Sequence, residues 1–281
     1  MIEVLSVRNL YKTYEKFQLK DVSFSMEPGK IMGYIGRNGA GKTTTMKSML
    51  NLVHPDSGSI QFFGMEMKEH EFEIKQRISF IFGAVNYYPQ KKLKTITDVY
   101  RRFYKTWDES VYQSYLSRFE LDAEKKINQL SQGMSIKYAL ALALSHHAEL
   151  LILDEPTSGL DPVSRDELLN IFEDIVDQEG ASILFSTHIT TDLDKCADEI
   201  TYIKNGEIIA SQEKKSFLDS YRLVEGSSGQ LSEAQNKEII GLHERNGVFS
   251  GLLRKEDVND FQNFNLNPAD LESIMIHIER K

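Results

Sequence analysis

The chain has 281 residues, of which 41% are hydrophobic, and a formal net charge of −9. That is enough apolar material for one large domain with a small appendage, or two modest domains, and it argues against global disorder. The acidic balance argues against nucleic-acid binding by bulk charge, and the only cysteine, Cys196, rules out an intrachain disulfide and suits a reducing compartment.

Alternation of apolar and polar residues predicts antiparallel strands over Ile2 to Val7 and Leu19 to Met26. Pro28-Gly29 marks a turn before an apolar strand, Lys30 to Ile35, which runs directly into a glycine-rich loop. Lys42 to Leu52 continues as a helix. A Pro/Gly loop over His54 to Gly58 precedes a short strand, Ile60 to Phe63, and Ile78 to Phe82 reads as a buried strand. Thr95 to Phe119 is predicted helical, with Thr95-x-x-Asp98 as its capping box. Ser135 to His146 is a strongly apolar helix, and Glu149 to Leu153 a strand ending in acids.

Asp161-Pro162 places a cap before a first-turn proline, and Ser164-x-x-Glu167 offers a second box. Ala181 to Ser186 is another buried strand. Asn205-Gly206 predicts a hairpin between Ile200 to Ile203 and Glu207 to Ile209. Composition shifts near Ser220, through Gly226, Ser227, Ser228 and Gly229. A polar helix-like stretch, a strand at Val248 to Leu253 and a closing helix started by Asn267-Pro268 follow. The first residues, MIEVLSVRNL, do not read as a signal peptide. No stretch approaches the roughly 18 apolar residues of a spanning helix, so work at a membrane needs a partner that supplies the spans.

The chemistry concentrates in five ordered segments. Gly36-x-x-x-x-Gly41-Lys42-Thr43 is a phosphate-binding loop with a strand before it and a helix after it. Glycine lets successive N–H groups turn inward around phosphate oxygens, and the helix N-terminus favours an anion. Gly36, Asn38, Gly39, Ala40, Gly41, Lys42, Thr43 and Thr44 are the candidate nucleotide-binding residues. Lys42 supplies an ammonium for the β- and γ-phosphates and Thr43 a hydroxyl for Mg²⁺. Asp154 and Glu155 follow a buried strand: Asp154 suits Mg²⁺, and Glu155 suits polarisation of the attacking water. The other three segments are LSQGM (Leu130 to Met134), SGLD (Ser158 to Asp161) and STH (Ser186 to His188).

In this order the segments resemble the ATP-binding subunit of ABC transporters, over nearly all of residues 1–212. The resemblance implies an α/β fold: a P-loop ABC-ATPase core with an N-terminal antiparallel β-subdomain, a helical subdomain at about 84–147, and a small α/β appendage. The nucleotide-binding domain is placed at 1–214 and the appendage at 215–281. It further implies an ATPase using ATP and Mg²⁺ as a homodimer or heterodimer. In it, Ser131, Gln132 and Gly133 of one copy face the nucleotide of the other. Asp161 links the two sites, His188 holds the γ-phosphate and the water, and Tyr14, with Tyr11 as runner-up, stacks on adenine. Gln132 and Met134 depart from the usual Gly and Gln of that signature. The glutamine usual after the strand ISFIF is here Gly83, with Gln90 or Asn86 as offset substitutes.

Residues 84–107 set Lys91, Lys92, Lys94, Arg101, Arg102 and Lys105 against one acid, Asp98. By resemblance this stretch belongs to the face that receives permease subunits. FYKTWDES, LSQGM and the run through DEPTSGLDPVSR look like an export-type branch that includes efflux systems for antimicrobial peptides and amphiphiles. The expectation is a cytoplasmic subunit, peripheral on the cell membrane, powering a separately encoded permease, with no nucleic-acid partner. The alternative is a permease-independent ATPase serving a soluble assembly complex. A DNA-repair ATPase is disfavoured because no long coiled coil fits between loop and signature, and a translation factor because only one P-loop is present. A sugar importer usually carries a larger C-terminal domain. Among the other histidines, none has metal-ligand spacing, and His146 and His147 are read as cations ending a helix.

Overall fold

Three sheets carry the chain, and the largest presents the glycine-rich loop at one edge. A computed structural model describes residues 3–82 and 88–280. The chain runs through β1 (Leu5–Thr13), β2 (Gln18–Met26), β3 (Ile31–Ile35), α1 (Lys42–Met49), β4 (Ser57–Phe62), β5 (Met65–Glu66), α2 (Glu71–Arg77) and β6 (Ile78–Phe82). Three helices follow, α3 (Leu93–Tyr100), α4 (Glu109–Arg118) and α5 (Gln132–Ser145). Next come β7 (Leu150–Asp154), α6 (Pro162–Glu179), β8 (Ser182–Thr187), α7 (Thr190–Cys196), β9 (Glu199–Lys204) and β10 (Glu207–Glu213). The remainder is α8 (Lys214–Asp219), β11 (Tyr221–Ser227), α9 (Glu233–Glu238), β12 (Ile240–Arg245), β13 (Val248–Arg254), β14 (Asn265–Pro268) and α10 (Leu271–Glu279). Two compact units result: residues 1–188 with 201–211, and residues 189–200 with 212–281.

In the first unit the main sheet has the order β10-β9-β3-β8-β7-β6. The segments IMGYI, LLILD and SILFST are buried along their whole length, as strands covered on both faces must be. β3, β8, β7 and β6 run parallel, with Ile35 opposite Thr187 and Asp154 opposite Ser186. That register ends three strands at one level. The glycine-rich loop, Glu155 and His188 therefore leave the sheet side by side, at the carboxyl edge where α/β sheets bind ligands. A second, antiparallel sheet, β2-β1-β4-β5, shares a core with the first that includes Leu5, Leu19, Tyr34, Met46, Phe62 and Leu184.

Helices α3, α4 and α5 are joined by a buried hydroxyl cluster. Thr97 Oγ1 lies 2.7 Å from the Tyr112 hydroxyl and 2.9 Å from that of Tyr138, which donates to Leu93 O at 3.0 Å. Each hydroxyl thus avoids the cost of burial without a partner.

The second unit has an antiparallel sheet in the order β12-β13-β11-β14. Val224, Ile239, Phe249, Leu253 and Phe261 form its core, and α10 packs on β12, β13 and α7.

Several local expectations are corrected. The first strand extends to Thr13. Thr95 to Phe119 is two helices: a 3-10 turn at Arg101–Phe103 closes α3, and Asp108 caps α4. Asp108 N also donates to Ser145 O at 2.7 Å, which docks the break on α5. Lys92, without a side-chain cap bond, stands at the start of α3, so Thr95 lies inside the helix. Helix α5 starts at Gln132 rather than Ser135, because the Ser131 hydroxyl accepts from Met134 N. Ser164 does not head a capping box; its hydroxyl donates to Asp161, the true cap of α6. Helices α2, α7 and α8 and strands β5, β11, β12 and β14 are additional, and α10 is capped by Asp270, leaving Asn267-Pro268 in β14. The Gly226 region is strand, with Gly226 opposite Phe249 on β13; a Cβ on it would approach Phe264 and Phe249 to 2.6 and 2.9 Å.

Candidate functional site

The turn from β3 into α1 encloses a cavity of about 540 Å³, lined by Lys16, Phe17, Arg37, Asn38, Gly39, Gly41, Lys42, Thr43, Thr44 and Glu155. Gly41 stands at the N-cap of α1 with φ +117, where no side chain caps the helix. A Cβ on it would come within 2.7 Å of Leu19 and 2.9 Å of Phe17, so glycine alone fits. The first amides of α1 therefore remain available to an anion. Gly36 and Ala40 shape the loop from behind. Gly36 O accepts from Lys42 Nζ at 2.7 Å, and Ala40 O accepts from Gly206 N at 2.9 Å, so the predicted hairpin turn buttresses the loop. Three cations line this cavity against one acid, which makes it locally basic in an acidic protein.

Two carboxylates meet the loop from β7. Asp154 is buried; its Oδ2 accepts from Thr43 Oγ1 at 2.7 Å and its Oδ1 from Ser186 Oγ at 2.5 Å. Glu155 has φ +51, a left-handed conformation that costs a non-glycine residue about 1 kcal/mol or more. Its N–H bonds Ser186 at both the carbonyl (3.1 Å) and the hydroxyl (2.9 Å), which holds it there. The Glu155 side chain bridges two cationic or neutral donors: Oε1 lies 3.1 Å from Lys42 Nζ, and Oε2 lies 2.8 Å from His188 Nδ1. His188 is itself exposed at the end of β8.

Ser131, Gln132 and Gly133 begin α5, and Asp161 caps α6; none of them lines this cavity. The hydroxyl of Ser164, then the N–H groups of Ser164 and Val163, hold Asp161 below the usual carboxylate range. Tyr14 is 44% exposed beside Lys12, whose Nζ lies 5.6 Å from its ring centroid. Tyr14 N donates to Phe17 O at 2.7 Å, closing the turn between β1 and β2. That turn presents Phe17, not Tyr14, to the cavity.

Sequence reasoning missed Lys16, Phe17, Arg37 and Ser186. Arg37 occupies a variable position of the loop, and Ser186 stands two residues before His188, so both had a signal in their neighbours. Phe17 had none beyond its distance from Tyr14. Within the basic stretch, Lys92 and Lys94 pair with Glu124, and Arg101 pairs with Asp98 and Glu109. Glu109 and Glu124 lie beyond the stretch and folding brings them back, whereas Asp98 stands within it, one turn before Arg101. His146 is no helix-ending cation; burial lowers its pKa to about 4. Gly83 and Asn86 lie outside the described residues, and Gln90 is exposed.

The family model described as ABC transporter matches residues 19–158. The chain is 28% identical to the ABC transporter ATP-binding protein YtrB of Bacillus subtilis (strain 168), over 97% of both chains. It is 30% identical to the bacitracin transport ATP-binding protein BcrA of Bacillus licheniformis, over 74% of this chain and 69% of the relative. Among solved structures, an ATP-binding subunit of an ABC transporter superposes with a TM-score of 0.68. It is 27% identical, and the match covers 76% of this chain and 91% of that one.

Proposed function

The chain belongs to the ABC transporter family of ATP-binding proteins, and we propose that its ATPase activity runs through Lys42, Thr43, Asp154, Glu155 and His188. The observation that carries this reading is the Glu155 carboxylate, held between Lys42 at 3.1 Å and His188 at 2.8 Å at the wall of the phosphate-loop cavity. Loop amides and Lys42 receive the β- and γ-phosphates, as the three-cation lining supports. When phosphate oxygens arrive, the Lys42 ammonium exchanges Glu155 for them. The freed carboxylate takes the proton of the attacking water, while His188 stays bonded to its other oxygen and fixes its direction. Phe17, at the cavity wall, offers its ring to the adenine.

Mg²⁺ fits beside Thr43 and Asp154: a hydroxyl and a carboxylate 2.7 Å apart are two hard oxygen donors next to the phosphate loop. Bound there by Thr43 and Asp154, it would neutralise charge developing on the transferred phosphoryl group. Ser186 holds the second Asp154 oxygen and so keeps the first one aimed at Thr43.

Ser131 and Gly133 do not line the cavity of their own chain, which supports a role on the nucleotide of a second ATPase subunit, identical or paralogous. One amide of the first turn of α5 is taken by the Ser131 hydroxyl, and the dipole of this helix start suits an anion there. Among the described residues no helix is long and apolar enough to cross a membrane; likeness to transport ATP-binding proteins supports a separate permease as the carrier of the spans. Phe72 (65% exposed) on α2, Val99 (52%) on α3 and Phe103 (67%) in the 3-10 turn after it suit such a protein partner. Likeness to a bacitracin transport protein favours export of peptides or amphiphilic toxic compounds.

The decisive experiment uses Glu155→Gln. We expect it to bind Mg-ATP, to lose hydrolysis and to accumulate as an ATP-bound dimer by analytical ultracentrifugation. Turnover at the normal rate overturns the assignment of Glu155.

A further inference from the structure

Glu155 opens a run of tight turns that ends at the cap of α6. Ser158 N donates to Glu155 O at 3.2 Å, and Leu160 N to Thr157 O at 3.2 Å. Ser186 anchors the upstream end through the Glu155 N–H. The downstream end is held from another element: Gln132 Nε2, on the first turn of α5, donates to Ser158 O at 2.6 Å. The same amide lies across Gly159. With φ +76, Gly159 leaves the space that the side chain uses; a Cβ there would sit 2.9 Å from Gln132 Oε1. Behind this contact, a Cβ on Gly133 would meet Leu160 and Ser164 at ordinary van der Waals distance, and Lys137 pairs with Glu167 at 2.9 Å. The starts of α5 and α6 thus meet along a continuous seam. Position 132 is where the signature pattern usually has glycine, which has no side chain to make this bond.

We propose that Gln132 is a positioning residue for Glu155. By holding Ser158 O and covering Gly159, it joins the first turn of α5 to the 155–161 turn, so that the two move as one piece. The turn that begins at Glu155 is then held at both ends, by Ser186 at the Glu155 N–H and by Gln132 at Ser158 O, which restricts the strained left-handed residue between them. A displacement at the start of α5 is transmitted to the carboxylate through one side-chain bond. The proposal rests on the reading of Glu155 as the base of hydrolysis.

The test compares Gln132→Ala, Gln132→Asn and Gln132→Glu in the full chain, with Glu155→Gln as control. Alanine removes the donor, asparagine is one methylene too short, and glutamate sets a carboxylate against the Ser158 carbonyl. We expect kcat to fall about 2- to 10-fold with alanine and asparagine, the range of one neutral hydrogen bond. Glutamate should cost at least as much, and the KM for ATP and the melting temperature should stay unchanged in all three. Gly159→Ala should be less harmful on the Gln132→Ala background than alone, because the collision with the amide is gone. An unchanged kcat in all three variants overturns the proposal. So does a loss confined to KM, which would put Gln132 on nucleotide, or a loss that tracks melting temperature. If Glu155→Gln itself hydrolyses ATP normally, the reading of Glu155 fails first; if it is inert and the Gln132 variants are normal, the positioning proposal alone fails.

Discussion

Lys42 Nζ and Glu155 Oε1 stand 3.1 Å apart across the wall of the phosphate-loop cavity. The ammonium is nearly enclosed, and its other partners are the carbonyls of Gly36 at 2.7 Å and Arg37 at 3.4 Å. An incoming phosphate must therefore compete with a carboxylate for the same cation. Glu155→Gln removes that competitor, so its affinity for Mg-ATP should equal or exceed the parent's by calorimetry. Hydrolysis should fall by about 10²- to 10⁴-fold, the usual worth of a positioned base. Lys42→Ala should lose tight ATP binding altogether.

Phe17 and Tyr14 separate two ideas about adenine. Phe17 lines the cavity, whereas Tyr14 lies outside it beside Lys12. Phe17→Ala should weaken ATP binding by about 3- to 10-fold, the scale of one aromatic contact. Tyr14→Ala should change it less than twofold. A titration with a fluorescent ATP analogue that shows the reverse order would return the adenine to Tyr14.

Ser186 serves both carboxylate residues at once, donating to Asp154 Oδ1 and accepting from Glu155 N. Its hydroxyl is fully buried. Ser186→Ala leaves an acceptor and a donor short of partners, at about 1–3 kcal/mol. We expect a lower melting temperature together with a raised Mg²⁺ requirement for hydrolysis, read from the metal dependence of the rate.

Ser131 caps α5 and lies away from its own chain's cavity. Ser131→Ala should leave ATP binding to isolated monomers intact while lowering hydrolysis and the yield of ATP-bound dimer in the Glu155→Gln background. Equal loss of monomer binding would contradict action on a second subunit's nucleotide.

His146 links stability to pH. Its ring stacks on Tyr104 with centroids 3.7 Å apart, and Nδ1 lies 3.1 Å from Leu142 O. Burial, the largest influence, lowers its pKa to about 4 from 6.5, with a smaller push from His147. The unfolded chain therefore binds the extra proton between those values. Its contribution is complete above pH 6.5 and is lost as pH falls toward 4, a change of roughly 3 kcal/mol. His146→Gln should flatten the loss of stability over that interval in urea titrations; an unchanged slope would exclude His146 as its source.

What the order of residues determined by itself was local chemistry. The spacing from Gly36 to Thr43, the paired acids at Asp154 and Glu155, and the hairpin dipeptide Asn205-Gly206 each act within a few residues. Their meaning survives without knowing what lies across the fold. The strands IMGYI, LLILD and SILFST were legible for the same reason, since unbroken apolar runs mark burial on both faces. Tertiary structure alone decided which distant groups meet. Parallel register sets Ile35 against Thr187 and Asp154 against Ser186, and so brings Lys42, Glu155 and His188 to one edge. Chain reversal at the β1–β2 turn chose Phe17 over Tyr14 for the cavity. Glu124 folded back to pair with Lys92 and Lys94. Gln132, in sequence only an irregular signature residue, became a tie to Ser158 once α5 and α6 lay side by side. Such contacts span tens of residues along the chain, and no local pattern encodes them because their partners are set by how the sheet and helices pack.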